Sequence, residues 1–159
     1  MAQARLPVFY ASIGVPDTLE GRLSVLTMHI FAVLHRLKAE GAEGHPLAQE
    51  LVDLFSADMD TVLREMGVSD LKVPKRVRDL CAKSHGIVNA LEQSYGAGEE
   101  TFRQTVAELL PVSSDRVDAA SRDLSAYLQR GIAALAEQPF QALRLGEIEF
   151  PEAAHVEEP

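Results

Sequence analysis

The side chains that could do chemistry are few and scattered. His29, His35, His45, His85 and His155 show neither an H-x-x-x-H spacing nor a Cys/His pattern. Metal ligation and stable haem ligation are therefore not expected. Cys81 is the single cysteine. It falls on an apolar stripe, which favours a core thiol over a reactive one, and it points to a reducing compartment. The remaining candidate is an acid–histidine pair. Asp58 sits among apolar positions of its helix, and His29 lies at the edge of an apolar face. Such a pair lacks the nucleophile and third orienting group of a hydrolytic site. Glycine-rich phosphate loops and a G-x-S-x-G elbow are absent from the sequence. No catalytic residue and no cofactor are assigned.

The elements that would position these groups are helical. Residues 1–16 read as an extended arm. Asp17 reads as an N-cap with Glu20 as its capping-box partner, opening a helix that runs to Ala39. Leu19, Leu23, Leu26, Ile30, Val33 and Leu37 form its apolar face. A Gly-rich turn leads to a second helix, Pro46 to Met66, with Leu47, Leu51, Leu54, Phe55, Met59, Val62 and Met66 as its stripe. Gly67 is placed to stop it, and Pro74 to open the next. The third helix, Val73 to Tyr95, carries Val73, Val77, Leu80, Cys81, Val88, Leu91 and Tyr95. A fourth spans Glu99–Leu110. A fifth spans Asp115–Glu137, with Val117, Ala120, Leu124, Leu128, Ile132 and Leu135. Only Leu145–Phe150 hints at a strand. Residues 151–159 are acidic and poor in apolar side chains, so a disordered tail is expected. The sum is a single all-α domain over residues 1–150, an antiparallel bundle of five helices with short connections.

The short turn between the first two helices makes them antiparallel. Setting Lys38 level with Leu47 brings Asp58 opposite Thr27–His29 and Glu65 opposite Arg22. Two inter-helix pairs are expected, His29–Asp58 and Arg22–Glu65, acting as a buried polar clamp that fixes register. An enzyme or small-ligand binder built on His29 and Asp58 would instead need a solvent-open pocket containing both.

The corner between the second and third helices carries Asp60, Arg64, Asp70, Lys72, Lys75 and Arg76, none of which packing requires. Lys72, Lys75, Arg76, Arg78 and Lys83 form the one strongly basic stretch of a 159-residue chain with net charge −9. That net charge argues against general nucleic-acid binding, and no specific DNA binding is expected. With 47% hydrophobic and 25% charged residues, the composition is that of a globular domain. Residues 1–16 lack the order of a secretory signal, and the longest apolar run, Ser24–Leu34, is too short to span a bilayer. A cytoplasmic location follows as the expectation, with peripheral contact to the inner membrane left open.

Three separated blocks carry a family likeness. They are Phe9-Tyr10, Gly14-Val15-Pro16-Asp17-Thr18 and Gly21-Arg22; then Met28-His29 and Arg36-Leu37; then the corner from Leu54 to Val77. In this order and spacing, over residues 9 to 95, the chain resembles the ubiquinol–cytochrome c chaperone family, the assembly factors of the cytochrome bc1 complex. The resemblance implies a non-enzymatic chaperone that binds newly made cytochrome b and promotes assembly of ubiquinol–cytochrome c reductase; a bacterial protein is expected because no presequence is visible. It also implies a ribosome near the exit tunnel or a small partner protein as further contacts, and it favours Asp60, Arg64, Asp70, Lys72, Lys75 and Arg76 as the partner- or client-docking surface. A general helical adaptor unrelated to respiration would share the same fold.

Overall fold

A computed structural model describes residues 2–113 and 116–153. Within them the chain is all helical, with no strand. A 3-10 turn, Gln3–Arg5, precedes α1 (Val8–Ala11), α2 (Leu19–Ala39) and a second 3-10 turn, Gly41–Glu43. Then follow α3 (Gly44–Glu65), α4 (Val73–Tyr95), α5 (Glu99–Leu109), α6 (Val117–Glu137) and α7 (Phe140–Arg144). The expected five-helix bundle is α2 to α6. The expected extended arm is not extended. Pro7, at φ −56°, already sits in the helical region and starts α1. The arm is also no loose appendage, because Phe9, Ile13 and Val15 are buried in the main core.

Helix α2 is the axis of the fold and packs on α3, α4 and α6. Its expected face captured Leu23 and Leu37, but Val25, Met28, Phe31 and Ala32 are equally buried. The N-cap is Thr18, one residue beyond the expected Asp17. Its hydroxyl oxygen accepts the Gly21 N–H at 3.1 Å. Glu20 is not a capping partner; it pairs with Lys83 on α4. Gly21 is required here, because a Cβ would lie 2.0 Å from the Pro16 carbonyl oxygen. Where α2 faces α4, the buried Thr27 and Ser84 hydroxyls satisfy each other at 3.1 Å.

Helix α3 buries only Phe55, Met59 and Leu63 besides Gly44. Leu54 and Met66, assigned to its stripe, are 59% and 58% exposed. The buried face is narrower than the expected stripe, because one ridge of α3 meets α2 and α4. Cys81 is half-buried against the small cluster of Leu23, Phe55 and Met59. Helix α6 follows expectation, with Ala120, Leu124, Leu128, Ile132 and Leu135 all buried. The expected start of this helix, Asp115, lies outside the described residues; among them the helix begins at Val117.

The C-terminal segment corrects two expectations. Leu145–Phe150 forms no strand. Instead the Gln138 side chain brackets the Glu149 backbone, donating to its carbonyl at 2.7 Å and accepting its N–H at 3.0 Å. Phe150 then reaches the core, its ring 5.0 Å from that of His29. Ala153 is buried as well, so packing continues past residue 150. The rest of the expected disordered tail, residues 154–159, lies outside the described residues.

Candidate docking surface

The expected clamp does not form. His29 points away from α3 into the core formed with α6. A backbone carbonyl can only accept, so His29 Nδ1–H donates to Val25 O at 2.8 Å. Nε2 is then the acceptor, and it takes the Tyr127 hydroxyl proton at 2.8 Å. The same hydroxyl accepts from Gln3 Nε2 at 3.1 Å. Burial drives the His29 pKa down to about 4, against a smaller opposing effect of the Val25 carbonyl. Burial likewise raises the Tyr127 phenol. This neutral relay joins the N-terminal turn, α2 and α6.

Arg22 does not pair with Glu65. It bonds Asp17 at 2.5 Å and lies 5.6 Å from the centre of the Tyr10 ring. Arg22, Asp58 and Glu65 instead share the wall of a groove of about 490 Å³ between the N-terminal turn, α2 and α3. Met59 and Val62 give it an apolar floor. His29 is not among its lining residues, so the groove does not hold the acid–histidine pair an enzyme reading needs. Of the other histidines, His35 bonds Glu92, which also holds Lys38, and so ties α2 to α4. Those two bonds lower the Glu92 pKa against the effect of its burial. His45 and His85 are exposed, and His155 lies outside the described residues. Among the described residues no group of His, Cys, Asp or Glu is arranged to hold a metal ion.

The corner forms as a Schellman turn. The Val68 N–H reaches Leu63 O at 3.0 Å and the Gly67 N–H reaches Arg64 O at 2.9 Å. Gly67 takes the φ of +79° this turn demands. Arg64 holds the loop to the helix. Its Nε contacts Asp60 Oδ1 at 2.5 Å and its Nη1 contacts Asp70 Oδ1 at 2.6 Å. These charges are solvent-exposed and add little to stability; what they set is the position of the loop. The loop returns through Ser69, whose carbonyl accepts from Lys72 and Val73, and α4 begins at Val73.

Lys72, Lys75, Arg76 and Arg78 are exposed at the start of α4. Among the described residues none of the four pairs with a carboxylate. The first turn of α4 contains no acid, although a helix start favours negative side chains. The cations are thus placed against the electrostatic preference of their own helix. Two apolar residues complete the surface and escaped the sequence reading. Leu71 is 95% exposed, and Met66, read as core, also projects. The available signal was a leucine set directly between the charged Asp70 and Lys72.

A family profile described as Ubiquinol-cytochrome C chaperone matches residues 11–150, beyond the 9–95 stretch that carries the visible motifs. The chain belongs to the ubiquinol-cytochrome c chaperone family. Its fold is similar to the crystal structure of the Cbp3 homolog from Brucella abortus, with a TM-score of 0.72 and 35% identity. That likeness covers 96% of this chain and 84% of the other. None of the curated proteins compared with the chain matches it. In this chaperone-family member the motif residues outside the corner have structural work. Phe9, Val15, Met28 and Leu37 are core, Thr18 is a cap, and Gly21 permits close approach. Arg36 donates to Leu135 O at 2.8 Å and Gln138 O at 3.2 Å, closing the end of α6. Most of the corner residues have no such task.

Proposed function

We propose that this protein is a non-enzymatic assembly chaperone that binds newly made cytochrome b and promotes assembly of the cytochrome bc1 complex. The observation that carries the reading is its membership of the ubiquinol-cytochrome c chaperone family over nearly its whole length. Action by binding is supported by His29, which is sealed in the core with both ring nitrogens occupied. Asp60, Arg64, Asp70, Lys72, Lys75 and Arg76 form the docking surface, with Arg64 fixing the loop and the three cations presented to a partner. A cytochrome b segment is apolar and needs cover before assembly. The groove beside Tyr10, Arg22 and Met59 offers an apolar floor with polar walls, suited to an amphipathic element. Ribosomes near the exit tunnel and a small partner protein are further contacts of this reading. Among the described residues no helix is long and apolar enough to cross a membrane, so the client would be met from outside the bilayer core.

The test is affinity capture of the tagged chaperone from cells during active translation, in detergent. Enrichment of cytochrome b over other membrane proteins is the expected result. Efficient capture of the chaperone with no cytochrome b enrichment would overturn the reading.

A further inference from the structure

The proposed function leaves the chemistry of the corner's partner open, and three observations narrow it. Leu71 is 95% exposed and Met66 is 58% exposed, and neither lines any of the three main grooves among the described residues. The apolar atoms therefore sit on a projecting tip. A projecting tip has no pocket in which to seat a side chain of a peptide or helix, but it can enter a soft, planar, apolar medium. Beside the tip, residues 72–78 hold four cations and no acid. The rest of the chain is then more acidic than its overall net charge of −9. An anionic surface would repel most of the molecule and attract this end, which sets a single orientation. Finally, no Phe, Tyr or Trp occurs between Phe55 and Tyr95, and the one imidazole in that interval, His85, lies farther along α4 than the cation run. Single-stranded RNA is held largely by base stacking on such rings, so the corner itself offers it little platform.

We infer that the α3–α4 corner is a membrane-docking tip: Leu71 and Met66 enter the interfacial layer of an anionic bilayer while Lys72, Lys75, Arg76 and Arg78 contact lipid headgroups. The Schellman turn at Gly67 and the Arg64 bridge to Asp60 and Asp70 hold the tip in place before contact. The inference rests on the proposed function only in taking the same corner as the docking surface. It gives the chaperone a position at the membrane, where an apolar client would be handed over.

The test is flotation of the purified full chain with phosphatidylcholine vesicles, with and without phosphatidylglycerol, at low and physiological salt. Binding is expected to the anionic vesicles only, and to weaken as salt rises. Each cation near the surface is worth on the order of fivefold in affinity, so Lys75→Glu with Arg76→Glu should abolish measurable binding. Leu71→Ser should weaken it by about tenfold, the loss expected when one leucine no longer leaves water. Both variants change exposed residues, and circular dichroism melts check that they remain folded. Absence of binding to the anionic vesicles would overturn the inference. So would binding unchanged in Leu71→Ser, which would reduce the contact to charge alone, or sedimentation with ribosomes that depends on Lys75 and Arg76 while vesicles are ignored. These outcomes are independent of cytochrome b capture in detergent, so the two readings fail separately.

Discussion

The Tyr127 hydroxyl donates to His29 Nε2 across 2.8 Å, joining residues 98 apart in the sequence. This bond, with the Gln3 donor behind it, ties the N-terminal turn and α6 to the central helix α2. Its ring surroundings are close: Phe9 stands edge-on to both His29 and Tyr127, at 5.3 and 5.2 Å.

Tyr127→Phe removes the donor and leaves a buried imidazole nitrogen and the Gln3 amide without their partner. The expected loss is about 1–3 kcal/mol in a urea unfolding experiment. The unfolding slope with urea should stay the same, since the fold is retained.

His29 also sets a pH dependence. Its folded pKa, about 4, lies below the ordinary value of 6.5. The unfolded chain therefore binds more protons between those values, and stability falls as pH drops through that window. Between pH 7 and pH 5 this group should remove roughly 2 kcal/mol of stability. Urea melts of the wild type and of His29→Gln at the two pH values measure it. The variant should lack that part of the pH dependence.

Gly21→Ala pits two effects against each other. Helix propensity would favour alanine by up to about 1 kcal/mol. The added Cβ would meet the Pro16 carbonyl oxygen at 2.0 Å, and forced shifts of this kind typically cost about 1–3 kcal/mol. The clash wins, and the thermal midpoint should fall. A raised midpoint would mean that the Pro16 turn relaxes freely.

How much of this was legible depends on how many sides of a helix are covered. The periodicity of α6 gave its core face, because one face of that helix is buried. In α2 the same reasoning found Leu23 and Leu37 but not Val25, Phe31 or Ala32, since a helix surrounded by others has no single face. The histidine partner was misassigned for a related reason. Register between two neighbouring helices can be argued from a short turn, but nothing local announces that Tyr127 of α6 comes to His29. The corner was readable because its signals are local: Gly67 as the stop, Pro74 as the start and a dense run of charge. Leu71 was missed because exposure of one apolar side chain has no sequence period.

Asp58→Ala separates the observed groove from the expected clamp. Asp58 is only half-buried and lines open space, and its expected partner His29 is bonded elsewhere. The change should therefore stay within about 0.5 kcal/mol of the wild type, as surface substitutions do. A loss of several kcal/mol would restore the buried clamp.

Lys75→Glu with Arg76→Glu should leave folding stability within the same narrow range, because both side chains are exposed and unpaired among the described residues. In cells carrying only this variant, chaperone levels should be normal and assembled bc1 complex reduced. Normal assembly would move the docking surface to the groove beside Arg22 and Met59.

A role in bc1 assembly is measured by the amount of assembled complex in the native host after the chaperone is removed. It is read as ubiquinol–cytochrome c reductase activity and as spectroscopic cytochrome b in isolated membranes, with other respiratory complexes as controls. The predicted result is a selective loss of both signals, restored by the wild-type chain. Undiminished bc1 activity and cytochrome b in the deletion strain would contradict it and point to a helical adaptor with no role in respiration.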